Sequence, residues 1–378
     1  MKKILVVVGT RPEAIKMAPI ILALKKQAEF HVRVLATAQH RHLLDQVMQA
    51  FGIVPDLDLD IMRPNQSLST LTARLLIDLD EVLIAEQPDV VLAQGDTTTV
   101  MTVALSCFYQ RIPFGHVEAG LRTWDMTSPF PEEMNRVIAS RLAQWHFAPT
   151  ESSRKNLLKE GIPDSDISVT GNSVIDALLM AADMVAESLT TLPAEVARQI
   201  DPDKRLILVT THRRENFGAP FERICQAFLA LLDRNPDVQL LYPVHPNPNV
   251  RDIAWRLLGQ HPRAILCEPL EYLPFIAAMK LSYLILSDSG GVQEEAPALG
   301  KPVLVLRHET ERPEAVEQGV VKLVGTDFDM IVNSAQGLLD DPASYHAMAR
   351  GISPYGDGHT SERIVTILLA YFTKKDEH

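Results

Sequence analysis

Short apolar runs alternate with longer stretches of helical periodicity along most of the chain. The candidate strands are "ILVVV", "HVRVLAT", "DVVLAQ", "PFGHVE", "WHFAP" and "ISVT" in the first half, and "RLILVT", "VQLLYPV", "AILCE", "SYLILS", "PVLVLR" and "VKLV" in the second. Runs that are apolar throughout are typical of parallel strands covered by helices on both faces. The pattern therefore predicts an α/β protein with parallel sheets.

The length of 378 residues suggests two domains rather than one. The rhythm of strands and helices is interrupted by a polar, Pro-containing stretch from Ala186 to Asp203. We predict an N-terminal Rossmann-like domain over 1–170 and a C-terminal one over 171–359, with sheets facing an interdomain cleft. The last helix, within 360–378, is amphipathic and is expected to pack back on the first domain.

Composition narrows the functional classes. A formal net charge of -12 argues against a nucleic-acid binder, so an anionic ligand must be held by local cations and backbone amides. The three cysteines, Cys107, Cys225 and Cys267, include no CxxC and predict reduced thiols in a cytoplasmic protein. No run approaches the ~20 apolar residues that a membrane span needs.

The loop after the first strand, "GTRPEAIK", begins a strand-loop-helix unit but lacks the GxGxxG pattern of dinucleotide enzymes. NAD is therefore disfavoured. Arg11 and Lys16 are candidate ligands for an anion, although each also fits an ordinary surface cation.

Carboxylates follow several strands of the first half, where parallel sheets bind their ligands. Asp96 follows "DVVLAQ" and also fits a helix cap. Glu118 ends a mostly apolar strand, where a carboxylate is costly unless it is paired or functional. Glu132 and Glu133 open a helix; we expect one to complement the helix dipole and the other to face the cleft. These positions suit a general acid and a general base.

The second half carries the cationic loop "THRRENFG", in which His212 can exchange a proton near neutral pH. The stretch "SDSGGVQEE" reads as a strand end, a glycine turn and a helix start, which favours phosphate binding. Glu295 follows about one turn into that helix, and Arg312 precedes a proline as Arg11 does. The chain shows no metal-ligand spacing and no GxSxG elbow.

Together these motifs closely resemble those of the non-hydrolysing UDP-N-acetylglucosamine 2-epimerases. The matching stretches are "GTRPEAIKMAP", "TAQHR", "GDTTT", "HVEAGLRT", "PEEMNR", "HRREN", "SDSGGVQEEAPALGKPVLVLR" and "TERPEA". The resemblance implies a GT-B-type fold with UDP in the interdomain cleft, and a homodimer. It also implies reversible conversion of UDP-N-acetylglucosamine to UDP-N-acetylmannosamine for bacterial envelope polysaccharides.

The family's chemistry expels UDP from C1, removes the C2 proton to give a 2-acetamidoglucal, and adds UDP back with protonation on the other face. No cofactor is implied. The resemblance assigns carboxylates near the sugar, a histidine beside the phosphates, and ligands of UDP. In this chain the carboxylates are Asp96, Glu118 and Glu132, and the histidine is His212. The ligands of UDP are Arg11, Lys16, Ser289, Gly290, Gly291, Glu295 and Arg312, with Phe275 near the uracil.

The chain departs from the family before "EYLPF", where relatives often carry Gln and this sequence has Leu270. A side-chain contact to the base would be lost there, whereas a backbone contact would survive. Many bacterial relatives also bind a second UDP-N-acetylglucosamine as an activator. The motifs that would line that site contain Gln39, Gln66, Arg213 and His245.

Three alternatives share parts of these motifs. A glycosyltransferase of the same architecture would use the same UDP site and add an acceptor groove. An epimerase of another UDP-2-acetamido sugar, such as a diacetamido uronic acid, would keep the same acid and base groups. A non-catalytic UDP-sugar sensor would bind the nucleotide without turning it over.

Overall fold

The computed structural model describes residues 1–37, 41–63, 66–185, 189–310 and 312–376. Two compact units make up the chain: residues 1–177 together with 355–378, and residues 178–354. Within the described residues, no helix has the length and apolar character needed to cross a membrane.

Unit 1 is built on a parallel seven-stranded sheet in the order β3-β2-β1-β4-β5-β6-β7. The strands are β1 (Lys2–Val8), β2 (Phe30–Ala36), β3 (Leu57–Asp58), β4 (Val90–Gln94), β5 (Phe114–Val117), β6 (Trp145–Ala148) and β7 (Ile167–Val169). Its helices are α1 (Arg11–Lys25), α2 (Arg41–Ala50), α3 (Leu68–Glu86), α4 (Thr98–Gln110), α5 (Glu132–Leu142), α6 (Glu151–Lys159) and α16 (Thr360–Asp376). α7 (Ser173–Met184) starts in unit 1 and ends in unit 2.

Unit 2 is built on a parallel six-stranded sheet in the order β10-β9-β8-β11-β12-β13. The strands are β8 (Arg205–Thr210), β9 (Val238–Pro243), β10 (Ala264–Cys267), β11 (Leu284–Ser287), β12 (Val303–Val305) and β13 (Val321–Leu323). The helices are α8 (Ala194–Ala197), α9 (Ala219–Arg234), α10 (Pro248–Leu258), α11 (Tyr272–Leu281), α12 (Gly290–Glu295), α13 (Pro313–Glu317), α14 (Phe328–Asp340) and α15 (Pro342–Met348).

The prediction of an α/β protein with parallel sheets is confirmed. In β1 the apolar residues from Ile4 to Val8 are all buried, and Val6 pairs in parallel register with Val34 and Leu92. Every predicted strand contributes to a sheet. Strand β3 was not predicted, because its two residues are too few to carry a period.

Each sheet is covered by amphipathic helices. In unit 1, one face of α3 places Leu71, Leu75, Leu79 and Leu83 in the core beneath β1 and β4. Helix α16 also packs within unit 1, where the ring of Phe372 lies 6.2 Å from that of Phe30. These contacts hold the strand ends, and therefore the loops that follow them, in fixed places.

Candidate functional site

The order of the strands locates a switch point in each unit. Successive connections run in one direction from β1 through β3 and in the other from β4 onward, so the loops after β1 and β4 diverge. The same holds for β8 and β11 in unit 2. In open parallel sheets such a crevice at the carboxyl ends of the strands is where ligands bind.

A buried carboxylate joins the two loops at the switch point of unit 1. Glu13, which is 3% exposed, accepts hydrogen bonds from Gly9 N at 2.6 Å and Thr10 N at 3.0 Å. Its other oxygen accepts from the hydroxyl of Thr97 at 2.6 Å, in the loop after β4. Burial raises the pKa of Glu13 to about 7, although these hydrogen bonds oppose the rise.

Glu118 follows β5 and lies at the centre of the polar cluster in unit 1. Its backbone adopts a left-handed conformation with φ of 63°, which turns the chain sharply at the strand end. The carboxylate lies 2.6 Å from Lys16 Nζ, accepts from Asn172 Nδ2 at 2.9 Å and also accepts from the amide of Gln94. The structure therefore brings Lys16 and Glu118, both predicted site residues, into one ion pair.

Asp96 lies in the loop after β4 and is held by α5. Arg136 approaches its carboxylate with Nε at 2.9 Å and Nη2 at 2.8 Å, while Asn135 Nδ2 donates to the backbone oxygen of Asp96 at 2.8 Å. Burial raises the pKa of Asp96, Arg136 lowers it and the nearby charge of Glu118 raises it, with a net upward shift. Such a carboxyl group is suited to exchanging protons.

The two glutamates that open α5 differ in their surroundings. Glu133 is buried and accepts hydrogen bonds from Thr123 N, Trp124 N and Arg136. Burial raises the pKa of Glu133, but these donors outweigh it and bring the pKa below its ordinary value. Glu132 is only partly buried, and among the described residues its side chain makes none of these bonds. Arg11, the first residue of α1, is also partly buried.

A second buried carboxylate joins the loops at the switch point of unit 2. Asp288, directly after β11, is fully buried and accepts from His212 N at 3.0 Å, Arg213 N at 2.9 Å and Asn216 Nδ2 at 3.0 Å. The same amide of Asn216 donates to the backbone oxygen of Leu306 at 3.1 Å. Asp288 thus fixes the "THRREN" loop that follows β8.

His212 lies beside two of the residues predicted for an activator site. Its ring stacks on that of His245 with centroids 5.5 Å apart, and Arg213 is its chain neighbour. Burial lowers the pKa of His212, Asp288 raises it, and His245 and Arg213 lower it. Of the other two predicted activator residues, Gln66 lies in unit 1, where its Nε2 is 3.3 Å from Met62 Sδ, and Gln39 lies outside the described residues.

The "SDSGG" turn lies against the guanidinium of Arg312. Ser289 is the residue before α12, and a Cβ added to Gly290 would lie 2.6 Å from Arg312 Nη1. Arg312 donates through Nε to Glu294 at 2.6 Å and through its backbone N to the hydroxyl of Thr310 at 3.1 Å. Gly290 therefore makes room for the guanidinium. Two further predicted residues lie on the same helix: Gly291 is exposed and Glu295 is partly buried.

The predicted uracil contacts lie around the start of α11. Leu270 precedes the helix and is 9% exposed, whereas Phe275 lies within it and is partly buried. Leu270 lines a cavity of about 640 Å³ together with Trp255 and Val196, and Phe275 is not among the residues lining it. That cavity does not bring the two predicted contacts together.

Four charged residues of these clusters were not predicted as site residues: Glu13, Arg136, Asp288 and Glu294. The sequence carries a signal for the first, because Thr10 and Glu13 have the spacing of a capping box, which the structure forms. The clusters offer acid and base groups in unit 1 and a basic loop, held by Asp288, in unit 2. Among the described residues, no group of His, Cys, Asp and Glu is arranged to hold a metal ion.

Comparison with known proteins gives full-length matches. The family model for UDP-N-acetylglucosamine 2-epimerase matches residues 22–369. A Salmonella typhimurium protein named UDP-N-acetylglucosamine 2-epimerase is 55% identical over 372 residues, which are 98% of this chain and 99% of that protein.

Solved structures match over the same extent. A putative UDP-N-acetylglucosamine 2-epimerase from Listeria monocytogenes is 46% identical, with a TM-score of 0.92 over 99% of this chain and 98% of that one. The Neisseria meningitidis enzyme bound to UDP-GlcNAc is 49% identical, with a TM-score of 0.85 over 97% and 100%. A glycosyltransferase of kitacinnamycin, 14% identical with a TM-score of 0.64 over 97% and 98%, shares the fold alone.

Proposed function

Because the chain belongs to the UDP-N-acetylglucosamine 2-epimerase family, we propose that it interconverts UDP-N-acetylglucosamine and UDP-N-acetylmannosamine. Membership of the family, which the motifs predicted, is confirmed. The observation that carries the proposed activity is the cluster in unit 1, where Asp96 and Glu118 follow adjacent strands and the charge of Glu118 raises the pKa of Asp96. Inversion at a carbon needs a group that removes a proton and a group that supplies one.

The proposed chemistry is elimination followed by addition. The C1–O bond to UDP breaks as a base removes the C2 proton, which leaves 2-acetamidoglucal and UDP. UDP then adds back to C1 while an acid protonates C2 on the opposite face. Atoms and electrons balance without an oxidant or reductant, so the proposal requires no redox cofactor.

We assign the proton transfers to carboxylates of unit 1. The raised pKa of Asp96 keeps a proton available closer to neutral pH, whereas Lys16 stabilises the ionised form of Glu118. Glu132 is the third candidate, because within the described part of the chain its side chain makes none of the bonds that occupy Glu133.

Binding of UDP is assigned to cations and amides of both units. Arg312 is the best supported ligand, since Glu294 binds its guanidinium and the bare Cα of Gly290 leaves space for it. The hydroxyl of Thr310 holds the backbone N of Arg312. His212 supplies either a proton or a phosphate contact. The remaining proposed ligands are Arg11, Lys16, Ser289, Gly290, Gly291 and Glu295, with Phe275 and the backbone of Leu270 at the base.

A second UDP-N-acetylglucosamine is proposed as an activator at Gln39, Gln66, Arg213 and His245. The support within unit 2 is that Arg213 and His245 both adjoin His212, so a ligand on them would act directly on a group assigned to the reaction. We infer that the reaction serves envelope polysaccharide synthesis in the cytoplasm, as the family resemblance implies.

A homodimer is proposed from the exposed apolar side chains of α3 and α4. Ile77 and Ile84 on α3 are 62% and 57% exposed, and Phe108 and Tyr109 on α4 are 61% and 66% exposed. Large apolar side chains grouped on two neighbouring helices are typical of a protein interface.

The activity is tested by incubating the protein with UDP-N-acetylglucosamine alone in deuterated water and following C2 by NMR. We expect deuterium at C2 and formation of the manno product. D96N and E118Q should each slow this exchange by about 10²- to 10⁴-fold, because each removes a proton-transfer group. E29Q, at an exposed site between α1 and β2, is the control and should exchange like the unchanged protein.

The alternatives give different results in the same assay. A glycosyltransferase shows no exchange alone and transfers the sugar when an acceptor is added. A sensor binds the nucleotide sugar in the unchanged protein and in D96N without any exchange. An epimerase of another sugar turns over the diacetamido uronic acid derivative faster than UDP-N-acetylglucosamine.

A further inference from the structure

Asp288 is a carboxylate in the interior of unit 2 with all its partners in one neighbouring loop. It is 0% exposed, and it accepts from the backbone N–H groups of His212 and Arg213 and from the amide of Asn216. Burying a carboxylate is costly unless it is fully hydrogen-bonded. Uncharged residues would fill the same space without that cost, so the charge itself calls for an explanation.

The imidazole of His212 provides one. Its Nδ1 lies 3.5 Å from Oδ1 of Asp288, within the range of an ion pair, while the side chain remains 41% exposed. A carboxylate beside Nδ1 favours the tautomer that carries hydrogen there, which leaves Nε2 as the proton acceptor.

We propose that Asp288 is a positioning residue for His212: its buried carboxylate fixes the backbone of the loop and selects the imidazole tautomer whose Nε2 can accept a proton. This inference rests on the proposed function only in assigning His212 to the reaction. The positioning itself concerns unit 2 alone.

The charged and titratable groups facing His212 come from three elements. Asp288 follows β11, His245 follows β9, and Arg213 belongs to the same loop as His212. Burial, His245 and Arg213 all lower the pKa of His212, and Asp288 is the one influence among them that raises it. Removing the charge of Asp288 therefore leaves only influences that favour the neutral imidazole.

The test uses the full-length protein with isotope-labelled histidine, with the His212 signals assigned by their loss in H212N. In the unchanged protein, NMR should report the Nδ1–H tautomer. In D288N the pKa of His212 should fall by about one unit or more, as expected for loss of an opposite charge within ~4–6 Å.

D233N is the matched control. Asp233 also lies 3.5 Å from a histidine nitrogen, that of His261, but its side chain is 73% exposed. This variant should leave the titration of His212 unchanged. A folded D288N whose His212 titrates as in the unchanged protein would overturn the proposal, and so would an Nε2–H tautomer in the unchanged protein.

If D288N does not fold, the tautomer of the unchanged protein still decides the matter. The proposed function fails separately, through absence of deuterium exchange at C2, and that result leaves the tautomer and titration readouts intact. If both hold, the limb of the pH–rate profile set by His212 should move to lower pH in D288N.

Discussion

At the switch point of each unit, a buried carboxylate links the two diverging loops. In unit 1 it comes from the side of the first strand, and in unit 2 from the side of the other strand. In unit 1 the buried carboxylate lies on the side of the first strand: Glu13, in the first turn of α1, reaches the loop after β4. In unit 2 it belongs to the other strand's loop: Asp288 follows β11 and reaches back to the loop after β8. Each carboxylate ties together the loops of two adjacent strands that lead in different directions.

The surroundings of the two carboxylates differ in charge. Glu13 has Asp96 as its charged neighbour, and the charge of Glu118 in turn acts on Asp96, so negative groups accumulate in unit 1. Asp288 faces the imidazole of His212 and accepts from the backbone of Arg213, so it anchors a loop that carries basic side chains. Carboxyl groups with raised pKa values suit proton transfer, whereas a basic loop anchored on a buried carboxylate suits a phosphate.

The largest expected difference between the two buried carboxylates is the contribution of Glu13 to the pH dependence of the unfolding free energy. A raised pKa in the folded protein means that the stability contributed by the protonated form is present below the ordinary value of 4.5 and is lost as the pH rises through about 7. The change corresponds to about 3 kcal/mol. E13Q cannot ionise, so its unfolding free energy relative to the unchanged protein should rise between pH 5 and pH 8.

Urea unfolding followed by tryptophan fluorescence measures this difference. A W255F background leaves Trp124 and Trp145, both in unit 1, as the reporters among the three tryptophans. E29Q, at an exposed site of the same unit, should show no pH-dependent difference. A constant offset between E13Q and its parent at both pH values would mean that Glu13 is ionised throughout.

An effect of intermediate size is expected on UDP affinity at the proposed phosphate site of unit 2. In G290A the new methyl group would lie 2.6 Å from Arg312 Nη1, which forces the guanidinium away from its place. UDP affinity should fall by about tenfold, the loss of one charge-assisted contact, and calorimetric titration with UDP measures it.

G291A is the matched variant, since an added Cβ there meets nothing within 4 Å and leaves Arg312 in place. A loss in G291A as large as in G290A would show that the ligand touches the helix start itself. Equal and unchanged affinity in both variants would remove Arg312 from the binding site.

The strands and their parallel arrangement could be predicted because buried runs such as that in β1 are apolar throughout. Individual side chains in the loops could not. Glu132 and Glu133 are adjacent, and no period reveals that the second is the one taken up by Thr123, Trp124 and Arg136. Likewise, the glycines after Asp288 marked the turn, but its burial depends on the "THRREN" loop, which is distant in the sequence.

The smallest effect concerns the link between the two loops of unit 1. Thr97 caps α4 by accepting from Val100 N at 3.4 Å and donates its hydroxyl to Glu13. T97V removes both interactions and should destabilise unit 1 by about 1 kcal/mol, the usual cost of a lost cap. T97S retains the hydroxyl and should restore the urea midpoint.

Because Thr97 adjoins Asp96, T97V should also slow deuterium exchange at C2 while UDP affinity in unit 2 is retained. An equal loss of exchange in T97S would show that the methyl group, and not the hydrogen bond to Glu13, positions Asp96.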